Sequence, residues 1–244
     1  TNDASATGIG TIDSTGSVNQ DAGFSIISYT GTGSVGTVAH NLGAKPNVMI
    51  QKKLSGSAAW TVYHDKVATN PSHKYLYLNS TAAVDDYADH FNDTEPTSSV
   101  FTLGTDSSVN GSGATNIMYC FTEKKGYSKF SSYIGNGAAS DGTFVYTGFK
   151  PAFIILKSTG VNDWRIIDNK RSSSGGSNPV DKYLYAQSAA AEGASSTNGV
   201  PDQIDFLSNG FKIRQASAGI NGSGQEYIYM AFAENPFVTS TGVP

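Results

Sequence analysis

Apolar and polar residues alternate along this chain in short bursts of four to eight, each bounded by Gly, Pro, Asn, Asp or Ser. The bursts are FSIISYT from Phe24, NVMIQKK from Asn47, WTVYH from Trp60, KYLYLN from Lys74, SVFTLG from Ser99 and NIMYCFTE from Asn116. A period of two is that of a strand, whose side chains point alternately to the two faces of a sheet. In WTVYH, Trp60 and Val62 share one face while Thr61 and Tyr63 share the other, as expected of a half-buried antiparallel strand. No stretch of roughly eleven residues holds a 3.6-residue apolar period between helix caps, so the pattern predicts an all-β fold.

After Glu123 the same order of elements begins again. Gly23-Phe24-Ser25 returns as Gly126-Tyr127-Ser128, YTGTG from Tyr29 as YIGNG from Tyr133, and Lys45-Pro46 as Lys150-Pro151. Trp60-Thr61-Val62 returns as Trp164-Arg165-Ile166, KYLY at Lys74 as KYLY at Lys182, and Phe101 as Phe211. NGSG at Asn110 recurs at Asn221, and Phe121-Thr122-Glu123 as Phe232-Ala233-Glu234. The matches keep their order while the offset drifts from about 103 to about 111 residues, as small loop insertions produce. This predicts two tandem homologous copies of one β-sandwich, jelly-roll or immunoglobulin-like, over 23–124 and 126–237. Residues 1–22 read as a flexible N-terminal arm, either disordered or ordering on a neighbouring subunit, and 238–244 as a C-terminal tail. GGSNP at Gly175 and AAAEGASSTNG from Ala189 read as longer loops of the second copy.

Composition narrows the function classes. Charged residues make up 15% and the net charge is -4, with the sixteen Lys and Arg scattered in runs no longer than two, so no nucleic-acid partner is expected. No apolar run approaches the roughly 18 residues that cross a bilayer, and the first residues carry neither a basic start nor an apolar core, so no membrane insertion is expected. The chain begins at Thr1 without an initiator Met, through processing or because its numbering starts after an unseen segment. Its single cysteine, Cys120, excludes an intrachain disulfide and, inside IMYCF, reads as a small buried hydrophobe.

Candidate chemistry is thin. Gly31-Thr-Gly33-Ser-Val-Gly36-Thr-Val38 fits a nucleotide-loop pattern letter for letter, but none of the companion motifs follows, and a hairpin loop between two strands explains it better. His64, His73 and His90 lie near DDYADHFND, yet Asp85, Asp86, Asp89 and Asp93 lack the spacing of a calcium loop, so a solvated acidic loop is expected. There is no G-x-S-x-G elbow, and Glu123 and Glu234 at matching strand ends suit a repeated structural role. Glycosylation sequons occur at Asn79, Asn92, Asn110 and Asn221. No catalytic, cofactor-binding or metal-binding residue is assigned, and no cofactor is expected. Trp60 and Trp164 are expected to anchor the core of each copy. Tyr75, Tyr77, Tyr183 and Tyr185 alternate with leucines, so they form a candidate interaction ridge if Leu faces the core, and none if Tyr does.

With the repeat in hand, the chain resembles virion proteins of marine tailed bacteriophages and their prophage relatives. The resemblance rests on NLGAKPNVMI from Asn41, WTVYH from Trp60, GYSKFSSYIGNG from Gly126, VYTGFKPAFIILK from Val145, NPVDKYLYA from Asn178, IDFLSNGFKIR from Ile204 and YIYMAFAENPF from Tyr227. It implies a non-enzymatic structural or adhesive virion component: a tail fibre, head fibre or capsid decoration. Its partners would be itself, other virion proteins and host-surface glycans, and its place the particle surface. A free carbohydrate-binding module using the tyrosine ridge is the alternative, and a glycan-cleaving enzyme a remote one.

Overall fold

The structure, a computed structural model, describes residues 1–171, 178–193 and 204–236. Strand accounts for 42% and helix for 5%, arranged as several antiparallel sheets, so the all-β class holds. No helix among the described residues is long and apolar enough to cross a membrane. The chain divides into two compact units, one of Thr1–Leu78 with Val84–Glu123, the other of Asn79–Ala83 with Lys124 onward.

Unit 1 contains β1 (Ser14–Asn19), β2 (Phe24–Thr30), β3 (Gly36–Ala39), β4 (Val48–Lys53), β5 (Trp60–His64), β6 (Lys74–Tyr77), β7 (Asp85–Asp86), β8 (Val100–Leu103) and β9 (Thr115–Phe121). Two four-residue helices, α1 (Ala4–Thr7) and α2 (Ser107–Asn110), are N-capped by the side chains of Asp3 and Asp106. One sheet runs β1-β2-β9-β4-β5-β6-β7, and β3 pairs with β8 in a second. Alternation does what the sequence promised: Ile27 and Tyr29 of β2, Met49 of β4, and Met118 and Cys120 of β9 point to one face. There they meet Val38 from β3 and Phe101 and Leu103 from β8, forming a core between the two sheets.

Unit 2 contains β10 (Ser128–Ile134), β11 (Phe144–Tyr146), β12 (Pro151–Ser158), β13 (Trp164–Asp168), β14 (Leu184–Tyr185), β15 (Ile204–Leu207), β16 (Gly210–Ile213) and β17 (Glu226–Ala233). Its larger sheet runs β10-β17-β12-β13-β14, and its smaller one β11-β16-β15. Matched through the repeated strings, the larger sheet follows the order β2-β9-β4-β5-β6 and the pair β11-β16 follows β3-β8. The core again lies between the sheets, with Ile154, Ile167, Tyr227 and Tyr229 on one side and Val145, Phe211 and Ile213 on the other.

Three expectations are corrected here. Residues 1–22 are not a flexible arm: β1 pairs with β2 from Ser14↔Tyr29 to Asn19↔Phe24, and Ile12 enters the core at 5% exposure. Their polar composition concealed this, because an edge strand exposed on both faces needs few apolar residues. The glycine-rich stretch at Gly31 is no hairpin loop, since β2 and β3 belong to different sheets and the loop crosses between them. Nor does Trp60 anchor the core: Tyr63 of β5 points inward, so Trp60 lies on the opposite face, half-buried, stacked 6.4 Å from Tyr119. Trp164 is buried at 3% exposure but also outside the core cluster, on the opposite face from Ile167. Parts of the two loops expected near Gly175 and after Ala189, and the tail 238–244, lie outside the described residues.

Candidate functional site

The two KYLY strings hold the most specific repeated geometry. Tyr75 and Tyr183 are 3% and 1% exposed and belong to the core clusters, while Tyr77 and Tyr185 pack against them half-buried. The tyrosine face is therefore the inner one, so of the two orientations left open by the sequence it is the one without an outward ridge. The reason is a polar group in each core that the rings serve. Tyr75 and Tyr77 meet edge-to-face at 5.3 Å, Tyr183 and Tyr185 at 5.2 Å, and each pair cradles one nitrogenous group.

In unit 1 that group is His90, which stacks on Tyr75 at 3.9 Å and 18° and meets Tyr77 edge-on at 6.3 Å. Its Nδ1 is buried without a hydrogen-bond partner, and burial pulls its pKa below the ordinary histidine value against the opposing charges of Asp106, Asp85 and Asp89. In unit 2 the group is Arg165, from the strand position of Thr61. Its guanidinium carbon lies 4.4 Å from the Tyr183 ring centre and 4.8 Å from that of Tyr185, and its Nη1 donates to Asp163 at 3.2 Å. Such a permanent cation on two ring faces gains from the aromatic quadrupoles. The loop expected to be solvated thus carries exposed Asp85, Asp86 and Asp89 but is anchored by buried His90 and Phe91.

The second repeated device ties the loops, and the sequence displayed its parts without their connection. Tyr29 Oη donates to the Val109 carbonyl and Tyr133 Oη to the Ile220 carbonyl, both at 2.7 Å. Asn110 Oδ1 accepts from the Thr32 amide at 2.9 Å, and its Nδ2 donates to the Ser34 and Gly104 carbonyls at 2.7 Å. Asn221 Oδ1 accepts from the Asn136 amide at 3.1 Å, and its Nδ2 donates to Asn136 Oδ1 and the Ala138 carbonyl. A Cβ on Gly31 would come within 2.3 Å of the Gly111 oxygen, and one on Gly135 within 2.4 Å of the Gly222 oxygen, so both positions require glycine. YTGTG with NGSG, and YIGNG with NGSG, are therefore the two halves of one knot. Both Asn110 and Asn221 are fully buried, which removes them as glycan acceptors.

A third device is a lysine folded over its own hairpin. Lys52 Nζ donates to the Ala58 carbonyl at 2.8 Å, and Lys157 Nζ to the Ser158 and Gly160 carbonyls at 2.6 and 2.7 Å. Burial draws the Lys157 pKa down to about 8, with Asp163 opposing.

The remaining candidates go to separate places. His64 Nδ1 accepts from the Lys66 amide at 3.1 Å, while His73 sits half-exposed 3.5 Å from Asp93. Among the described residues no group of three His, Cys, Asp or Glu is arranged to hold a metal ion. The Glu234 carboxylate accepts from Asn169 at 2.6 Å and pairs with Lys150 at 2.8 Å, whereas the Glu123 amide donates to Asn47 Oδ1 at 2.8 Å. Their positions match, but the Glu234 amide donates instead to the Lys150 carbonyl at 2.8 Å. Cys120 is fully buried, and burial pushes its thiol up to about 12.

An all-β chain of two compact units, with the buried Asn110, Asn221 and Lys157 tied into its loops, is what these observations define. Residues 1–236 match a domain of unknown function, DUF7483, and the chain belongs to that family. No curated protein and no solved structure matches it.

Proposed function

We propose that the chain is a non-catalytic structural and adhesive component of a bacteriophage virion, a tail or head fibre or a capsid decoration, which self-associates and presents loops to the host surface. In this reading the two units are copies of one β-sandwich, over 23–124 and 126–237. The carrying observation is that the loop knot occurs twice with two equivalent bonds: Asn110 accepts from the Thr32 amide and donates to the Ser34 carbonyl, as Asn221 does with the Asn136 amide and the Ala138 carbonyl. Polar residues that recur in equivalent structural bonds suit a rigid module. The virion assignment is supported by the resemblance of the second-copy strings to marine phage proteins. Gradient-purified particles of a phage encoding the chain are expected to contain it in many copies; its absence from them would reject the reading.

A lectin-like reading has one observation in its favour, transferred from the inward tyrosines to Tyr146 and Phe144, which are 64% and 42% exposed on β11. Binding to a glycan array, lost on Tyr146→Ala, would support it.

A further inference from the structure

The small sheet of each unit has an edge strand, and the two edges differ. In unit 1 the edge of β3 is covered: the amides of Thr11 and Ile12 donate to the Thr37 carbonyl at 2.8 and 3.0 Å, and the Thr37 amide donates to Thr11 Oγ1 at 2.8 Å. Ile12 bridges to Val38, and its Cδ1 lies 2.8 Å from where a Cβ on Gly36 would stand, so that glycine makes room for the covering segment. In unit 2 the equivalent strand is β11. Its registers with β16, Val145↔Phe211 against Val38↔Phe101 in unit 1, place Phe144 at the position of Thr37. The amides of Ile213 and Thr147 bond Thr143 and Asn209 on the β16 side. By alternation the amide and carbonyl groups of Phe144 and Tyr146 therefore point away from β16. Among the described residues β11 is the outer strand of its sheet on that side.

We propose that this edge pairs with the same edge of a second copy of the chain, antiparallel about a two-fold axis through Val145. The argument is self-complementarity. That register sets Phe144 opposite Tyr146 of the second copy, and Tyr146 opposite its Phe144, with both outward amides and both outward carbonyls of each strand bonded. Four aromatic rings then share one face as directly opposed cross-strand pairs, the stabilising unit of a sheet. Edge strands that stay unpaired usually carry lysine, proline or a covering segment. β11, Phe-Val-Tyr, has no charge and no proline, and Lys212, opposite Phe144 on β16, is already paired with Asp141. A second copy supplies an identical three-residue edge and closes the assembly as a dimer. An edge this short falls below the roughly 1,000 Å² of a stable interface, so the dimer is weak in solution and gains from multivalency on a particle.

This inference names the surface for the self-association in the reading above and rests on that part alone; absence from virions would leave a solution dimer intact. The test is sedimentation velocity of the full chain from about 10 µM to on the order of 1 mM, with amide hydrogen exchange at both ends of that range. The expected result is a monomer–dimer equilibrium, slower exchange at Phe144 and Tyr146 at high concentration, and dimerisation moved at least about tenfold higher by Tyr146→Lys at unchanged circular dichroism. If that variant misfolds, exchange in the unaltered chain decides. A monomer throughout overturns the proposal. So does a dimer with unprotected 144 and 146 amides, or glycan binding that depends on Tyr146 in a chain that stays monomeric.

Discussion

Single residues carry an unusual share of the order in this chain, and Asn110 is the plainest case. Replacing it by Ala removes three hydrogen bonds and leaves the buried Gly104 carbonyl without its Asn110 donor, a loss of about 2–3 kcal/mol measurable by denaturant unfolding. Asn110→Asp keeps the shape and loses both donors, so it is expected to be nearly as costly; no loss in either variant would mean the knot is idle. The two tyrosine cradles differ in how they respond to acid. Arg165 stays charged at every accessible pH, whereas His90, and also His40 whose Nδ1 accepts from the Leu42 amide, are held neutral mainly by burial. Their folded pKa values lie below the unfolded value of about 6.5, so the unfolded chain binds more protons in that range and stability rises with pH. Their contribution is fully present above about pH 7 and is lost as pH falls through the folded values. A melting temperature falling between about pH 7 and pH 5, and flattened in a His40→Gln, His90→Gln double variant, is the expected outcome. Cys120 should resist a thiol reagent at pH 8 in the folded chain and react once denatured, since its thiol is both buried and pushed up to about 12.

Strands were legible in the sequence wherever one face is buried and the other is not. FSIISYT coincides with β2 residue for residue, because period-two alternation is the direct imprint of a sheet with two unlike faces; WTVYH coincides with β5 as well, but that strand is buried on both faces and is not the half-buried strand its pattern predicts. The pattern failed where that condition fails. β1 is exposed along nearly its whole length and reads as polar linker, while β3 is four residues long and hidden behind a glycine-rich crossing. The orientation of KYLY was equally undetermined, since Leu and Tyr are both apolar enough for a core. What settled it was a long-range partner, His90 or Arg165, at no fixed spacing from the motif. The covering segment of β3 gives an element-scale test. Ile12→Ala is expected to cost about 2–4 kcal/mol, as for other buried aliphatic truncations, and Gly36→Val to be comparably damaging because its side chain meets Ile12. If Ile12→Ala were neutral, the N-terminal segment would be held by its backbone bonds alone.

At the scale of the whole molecule, the repeated strings and the two sheet orders that follow them are what tie sequence to function. Residues that looked like chemistry in one dimension, the glycine loop, NGSG and the paired tyrosines, lie in loop ties and core cradles in three. The histidines near the acidic stretch go to separate partners, a separation that spacing along the chain could not reveal. The family carries no assigned function, so the proposed role rests on the twofold structural knot and the phage resemblance together. Its consequence is that the chain should travel with the particle and not with the infected cell's soluble fraction. Quantitative mass spectrometry of gradient-purified virions of a phage encoding it is the most direct measurement. The expected result is co-sedimentation with the major capsid protein at a fixed, multi-copy ratio; recovery of the chain only in the particle-free supernatant would contradict the account.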